Sequence, residues 1–173
     1  MSAPVLETQR LRLRRLVPDD AGFMLELLND PSFIEFIGDR GVRDPTGARR
    51  YIEDGPVASH AQYGYGMDLV ELKATAEPVG ICGLVRRTWH ELPEIGYAFL
   101  PRHRSAGYAH EAAAAVLAHA LRALALPRVI AIVSPGNTRS IRVLEKIGLR
   151  YECEVTPPGE QRAILQFTSV DAT

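Results

Sequence analysis

"RHRSAGYAHEAAAA" runs from Arg102 to Ala115. An arginine-rich turn is broken by Gly107 and opens directly into a run of alanines. A turn that only reverses the chain needs no arginines. A helix that is only a helix needs no such density of small residues at its start. The N-terminus of a helix carries N–H groups without intrahelical partners and the positive end of the helix dipole, so it attracts anions. Gly107 admits a positive φ or a close backbone approach, and Ala109 is small. Arg102 and Arg104 are expected to add diffuse positive charge beside the turn. The stretch thus holds the parts of a phosphate cradle: a strand ending at Leu100, a glycine turn and a helix. A surface turn that carries arginines is the competing reading, and local chemistry weighs the two evenly.

Downstream, residues Gly107 to about Leu124 read as a long helix, with Ala113, Val116, Leu117, Ala120, Leu121 and Leu124 at helical spacing. Val129 to Val133 is a continuous apolar run, as in a strand buried on both faces. Asn137 to Ile147 reads as a helix capped by Asn137 and stopped by Gly148. Arg150 to Val155 and Ala163 to Val170 read as closing strands.

Upstream, Arg10 to Leu16 alternates leucine with arginine, the period of a half-buried strand. A helix starts at Pro18-Asp19-Asp20 and stops at Asn29-Asp30-Pro31. A second covers Pro45 to about Asp54, with Gly55-Pro56 as its end. Tyr65–Leu72, Pro78–Arg87 and Glu94–Leu100 are close enough to form an antiparallel meander. A meander followed by strand–helix–strand–helix–strand predicts one α+β domain over residues 1–173, built on a mixed sheet.

The 173 residues suffice for a full core without metals or disulfides. A net charge of -1 supplies no global field toward nucleic acid or anionic lipid, so neither is expected as a partner. Cys82 and Cys153 lie far apart, which suits free thiols in a reducing compartment. Neither a signal peptide nor a span of about 18 apolar residues is visible, and the cytoplasm is the expected location. A GxxxxGK[ST] loop and a GxGxxG fingerprint are both missing, and HExxH fails at Ala114. His60, His103 and His119 have no partners at metal spacing, so no metal is expected.

Three stretches carry a family resemblance. Glu94-Ile95-Gly96-Tyr97, Leu100-Pro101 and Arg104 to Ala112 resemble the acetyl-coenzyme A motif R/Q-x-x-G-x-G/A, met by Arg104, Gly107 and Ala109. Asn137 to Leu149 is similar to the N-x-x-S-x-x-x-x-E-K-x-G-F signature. Both belong to the GCN5-related N-acetyltransferases (GNAT), and their order along the chain matches. Leu6 to Arg14 resembles the L-x-T-x-R-L-x-L-R opening of one branch, the ribosomal-protein N-terminal acetyltransferases (RimJ/RimL type). Ser105 departs from the glycine that branch often has, and Leu149 from the usual phenylalanine.

The resemblance implies a GNAT-like, mostly antiparallel twisted sheet flanked by helices. It also implies acetyl transfer from acetyl-CoA to a primary amine, by direct attack in a ternary complex. The acceptor is a protein N-terminus or a small amine. The coenzyme pyrophosphate would meet the backbone N–H groups of Arg104, Ser105, Ala106, Gly107, Tyr108 and Ala109. Pantetheine would lie along the strand ending at Phe99 and Leu100, with an N–H near Phe99 polarising the thioester carbonyl. Asn137 would hold a pantetheine amide, and Ser140 would donate to the leaving sulfur. Both residues also suit a plain helix cap. Glu94 is the first choice of general base, against a salt-bridged strand residue, with Glu91 and His90 as substitutes. Trp89 is placed at the acceptor pocket or in simple packing. A non-catalytic acyl-CoA-binding or sensing module on the same fold is the alternative function. A homodimer is left open.

Overall fold

The computed structural model describes residues 4–170; the outermost three residues of the expected 1–173 domain at each end lie outside it. Eight strands form one sheet: β1 Pro4–Glu7, β2 Leu11–Arg15, β3 Met67–Leu72, β4 Pro78–Val85, β5 Glu94–Phe99, β6 Ile130–Val133, β7 Leu149–Val155 and β8 Ile164–Ser169. Their order across the sheet is β1-β2-β3-β4-β5-β6-β8-β7. Every neighbouring pair is antiparallel except β5 and β6. The helices are α1 Ala21–Leu28, α2 Pro31–Phe36, α3 Pro45–Ile52, α4 Ala58–Tyr63, α5 Tyr108–Arg122 and α6 Thr138–Lys146. This is the mixed α+β architecture, mostly antiparallel, that the sequence predicts.

The strand alternation sorts side chains to two faces. Leu11, Leu13, Val70, Cys82, Ile95 and Phe99 pack under α5 and α6. Leu69, Ile81 and Leu100 pack against α1, α2 and α3 on the other face. The alanines at the start of α5 are explained by this contact: Ala112, Ala113 and Ala120 are fully buried, so the helix axis lies close to the sheet.

Three elements differ from the sequence reading. β1 is an additional strand that the sequence pattern does not predict. Asn29-Asp30-Pro31 ends α1 as expected, but it also starts α2: Asp30 accepts the Phe33 N–H at 3.2 Å and Pro31 takes the first helical position. Gly55-Pro56 does not end the second predicted helix. A π-helical segment, Glu53–Val57, absorbs Pro56 and runs into α4. The stop is Gly64, whose φ of +77 closes the helix.

Candidate active site

The parallel strands β5 and β6 meet at a single register pair, Glu94 with Ile130, and separate beyond it. The split is a property of the backbone. Leu100 N–H donates to Val79 O at 3.0 Å, so Leu100–Val79 continues the bonded pairs of the β4–β5 ladder. Antiparallel pairs alternate, and Tyr97 and Phe99 therefore turn their N–H and C=O groups away from β4 and into the split. Leu100 is thereby removed from the expected coenzyme contacts: its N–H is committed and its side chain is buried. A cleft of about 820 Å³ occupies the split, lined by Glu94, Tyr97, Phe99, Gly107, Asn137 and Ser140 among others.

The turn after β5 forms the end of this cleft. Ser105 and Gly107 sit at φ +67 and +84. Among the described residues, no protein acceptor is found for the N–H groups of 105–110; the first helical bond of α5 is Glu111 N–H to Gly107 O. This leaves a row of free N–H donors at the start of α5, beside the left-handed Gly107. Arg104 N–H does not belong to it, because it donates to Pro101 O at 3.2 Å.

The two arginines do not supply diffuse charge, contrary to expectation. Arg102 pairs with Glu26. Arg104 turns inward and donates to Asp30 at 3.2 Å, Ser32 at 2.6 Å and Phe99 O at 3.0 Å. It ties the turn to α2, while Ser134 after β6 donates to Phe36 O at the other end of α2. The guanidinium that reaches the turn from outside it is Arg10, from the β1–β2 connection. It donates to Ala106 O at 2.9 Å, pairs with Glu111 at 2.7 Å and lies 4.7 Å over the Tyr108 ring. Spacing along the chain gives no access to this contact.

Burial alone would raise the Glu111 carboxyl. Hydrogen bonds from Thr8, the Arg10 N–H and the Arg10 guanidinium outweigh it and hold the group below its ordinary 4.5. A carboxyl lowered by folding stabilises the native state above its unfolded value and loses that contribution as pH falls through the folded one. The stability difference between the wild type and Glu111→Gln, from urea titrations, is expected to narrow from about pH 6 to about pH 3.

At the other end of the cleft, Glu94 is buried and accepts from Arg87 at 2.7 and 3.4 Å. The pairing raises the Arg87 guanidinium further, chiefly through that hydrogen bond. His90 is engaged with Gln166 at 3.1 Å, and its other ring nitrogen accepts the Leu92 N–H. Between the two ends, Asn137 caps α6 by accepting the Ser140 N–H at 3.3 Å. Ser140 Oγ lies 2.8 Å from the Tyr97 hydroxyl, which also reaches Ser140 O at 3.0 Å. Burial pushes the Tyr97 phenol well up, despite the bond to Ser140, so it stays a neutral donor. The sequence motif gives Tyr97 no role; the signal for one is the strand alternation that turns it toward α6. Among the described residues there is no cluster of three or more metal-ligating side chains.

Comparison with known proteins settles the family. The Acetyltransferase (GNAT) domain profile matches residues 10–150. The chain belongs to the GNAT acetyltransferases. Uncharacterized protein YkkB of Bacillus subtilis (strain 168) is 36% identical over 149 residues, 84% of this chain and 85% of its own. The acetyltransferase from Agrobacterium tumefaciens str. C58 superposes with a TM-score of 0.83 at 27% identity, covering 99% of this chain and 96% of that one. RimL, the ribosomal L7/L12 alpha-N-protein acetyltransferase solved in complex with coenzyme A, shares the fold at TM-score 0.83 and 16% identity, with 98% of each chain covered. The turn at 105–110 and the cleft residues Glu94, Tyr97, Phe99, Asn137 and Ser140 lie within the span matched by the profile.

Replacing Gly107 by valine puts a β-branched residue at φ +84, where its Cβ also comes within 3.4 Å of Arg10 Nη2. Loss of one charge-assisted N–H contact is worth about 1.5–3 kcal/mol. Calorimetry on Gly107→Val is expected to show coenzyme A affinity lowered about tenfold or more. Unchanged affinity would remove the turn from coenzyme binding.

Proposed function

We propose that this acetyltransferase moves an acetyl group from acetyl-CoA to a primary amine, a protein N-terminus or a small amine, by direct attack in a ternary complex. One observation carries the reading: free N–H donors of the turn lie at one end of a split sheet, and Glu94 lies at the other. RimL, with coenzyme A bound on the same fold, supports the choice of coenzyme. The opening motif at Leu6–Arg14 supports a place in the RimJ/RimL branch. The single sheet running from β1 to β8 supports one domain over the whole chain. Two free cysteines support a reducing, cytoplasmic setting.

Acetyl-CoA supplies the acyl group as an activated thioester. Ser105 to Ala109 bind the pyrophosphate through backbone N–H groups at the start of α5. The strand ending at Phe99 takes the pantetheine arm as an added strand, and the Phe99 N–H stabilises charge on the thioester oxygen while Arg104 holds the Phe99 C=O. Arg104 holds α2 against this strand. Glu94, oriented by Arg87, takes the proton that the attacking amine must lose, directly or through water. Asn137 fixes the first turn of α6 and so places Ser140. When the Tyr97 hydrogen is on Ser140 O, the Ser140 hydroxyl donates to Tyr97. Turning the pair the other way frees the Ser140 hydrogen for the leaving sulfur, with Tyr97 donating behind it.

The test is coenzyme A binding by calorimetry, followed by thiol release against amines and N-terminal peptides. Release with one acceptor class establishes the reaction and names the acceptor. Binding without release from any amine would favour a sensor, and no binding would overturn the reading. Ser140→Ala is expected to lower kcat about tenfold with acetyl-CoA affinity intact, the scale of a single proton donor of modest strength. An unchanged kcat would leave Ser140 as a helix-capping partner only.

A further inference from the structure

Arg10 stands 96 residues from Ala106 in sequence, yet every donor it directs at the protein serves the coenzyme turn or its helix. Its Nη1 donates to Ala106 O at 2.9 Å, and its Nε and Nη2 both meet Glu111 Oε2 at 2.7 Å. Its backbone N–H donates to Glu111 Oε1 at 2.8 Å, and Thr8 Oγ1 donates to the same oxygen at 2.6 Å. The guanidinium also lies over Tyr108, the first residue of α5. Glu111 balances its charge, so Arg10 acts chiefly through geometry.

The geometry has one consequence for the anion site. The Ala106 carbonyl and the Gly107 N–H belong to one peptide plane, and that peptide is trans. In a trans peptide these groups point in opposite directions. Holding Ala106 O on the Arg10 side therefore aims the Gly107 N–H away from Arg10, among the free donors of the turn. A peptide between Ala106 and the left-handed Gly107 has no helical or strand partner to fix its rotation, so without Arg10 it is free to flip.

We propose that Arg10 is a positioning residue for coenzyme binding: it sets the Ala106–Gly107 peptide so that the Gly107 N–H faces the pyrophosphate, with Thr8 and Glu111 as its support. The inference rests on the acetyl-CoA reading given above. It assigns a task to the Thr-x-Arg of the opening motif, which the reaction itself leaves without one.

The test is a coenzyme A titration of the wild type, Arg10→Met and Arg10→Lys, by calorimetry and by amide spectra. Both variants are expected to bind about tenfold more weakly, because lysine keeps the charge but cannot span the carbonyl and the carboxylate together. In the wild type the Gly107 amide resonance shifts on addition of coenzyme A; in Arg10→Met that shift is lost, while resonances outside the turn follow the wild type. Affinity within twofold of wild type in Arg10→Met overturns the proposal. So does full affinity in Arg10→Lys, which would make charge and not peptide orientation the cause. Failure of the wild type to bind coenzyme A is a separate result that overturns the acetyl-CoA reading itself.

Discussion

Glu94→Gln is expected to lower kcat/KM for the amine about 100-fold while leaving coenzyme A affinity within twofold. General-base transfer by a positioned side chain is worth about 10²–10⁴ in rate. Glutamine keeps the shape of the side chain, and its carbonyl still accepts from Arg87, whose Nε lies 2.7 Å from the native carboxylate. What glutamine cannot do is take a proton. The proposed coenzyme contacts, Ser105 to Ala109 and Phe99, lie toward the far end of the cleft, so binding is the internal control. A kcat/KM within threefold of wild type, with coenzyme binding intact, would remove Glu94 from the chemistry. It would then be an ion-paired strand residue that closes the split, and the amine would attack without a strong base.

Arg14→Met carries the largest expected effect on stability. Arg14 bridges Asp20 at 2.8 Å and Glu71 at 3.1 Å, with side-chain exposures of 13%, 9% and 4% respectively. The hydrogen bond to Asp20 is the main reason its guanidinium is raised further, against a desolvation that opposes it. Removing one partner of a buried ion network leaves uncompensated charge and costs about 3–5 kcal/mol. For a chain of this size that lowers Tm by roughly 10 °C or more. Arg12 still reaches Glu71 at 3.2 Å, which leaves Asp20 as the more exposed casualty of the change. Asp20 also accepts the Val17 N–H at 2.9 Å ahead of α1, so the damage is expected to spread to the start of that helix. Urea denaturation checks the value. A loss below about 1 kcal/mol would mean that water enters the site and repairs it. The triple variant Arg14→Met, Asp20→Leu, Glu71→Met is expected to recover most of the loss, since a buried network can be replaced by apolar side chains at little net cost.

Residues whose roles depend on near neighbours in the chain are legible from the sequence. Gly107 is in the left-handed region because the turn into α5 demands it. Asn137 caps α6 as its place before the apolar run requires. The alternation of Leu11 and Leu13 with Arg12 and Arg14 specifies β2 and its buried side. Short-range misreadings have local causes too. Asp30-Pro31 terminates one helix and caps the next, and one signal serves both purposes. Pro56 is tolerated because a π-helical turn surrounds it, an arrangement that composition does not announce.

The α+β architecture, the glycine turn at the start of α5 and the family to which they belong are all written in the order of the residues. They follow from periods of two and 3.6 residues, from motif spacing and from the φ that glycine alone adopts easily. The identity of the charge beside the turn is a product of folding. Arg102 and Arg104 are near neighbours of the turn in sequence, yet Glu26, Asp30 and Ser32 draw them away, and Arg10 takes the place through its contact with Ala106. Folding likewise parts β5 and β6 after one register pair, turns Phe99 and Tyr97 to the gap and brings Glu94 to Arg87. The physical reason is the same in each case. Hydrogen bonds and ion pairs are settled by distances of about 3 Å, and the packed chain alone brings groups from separate elements within that reach.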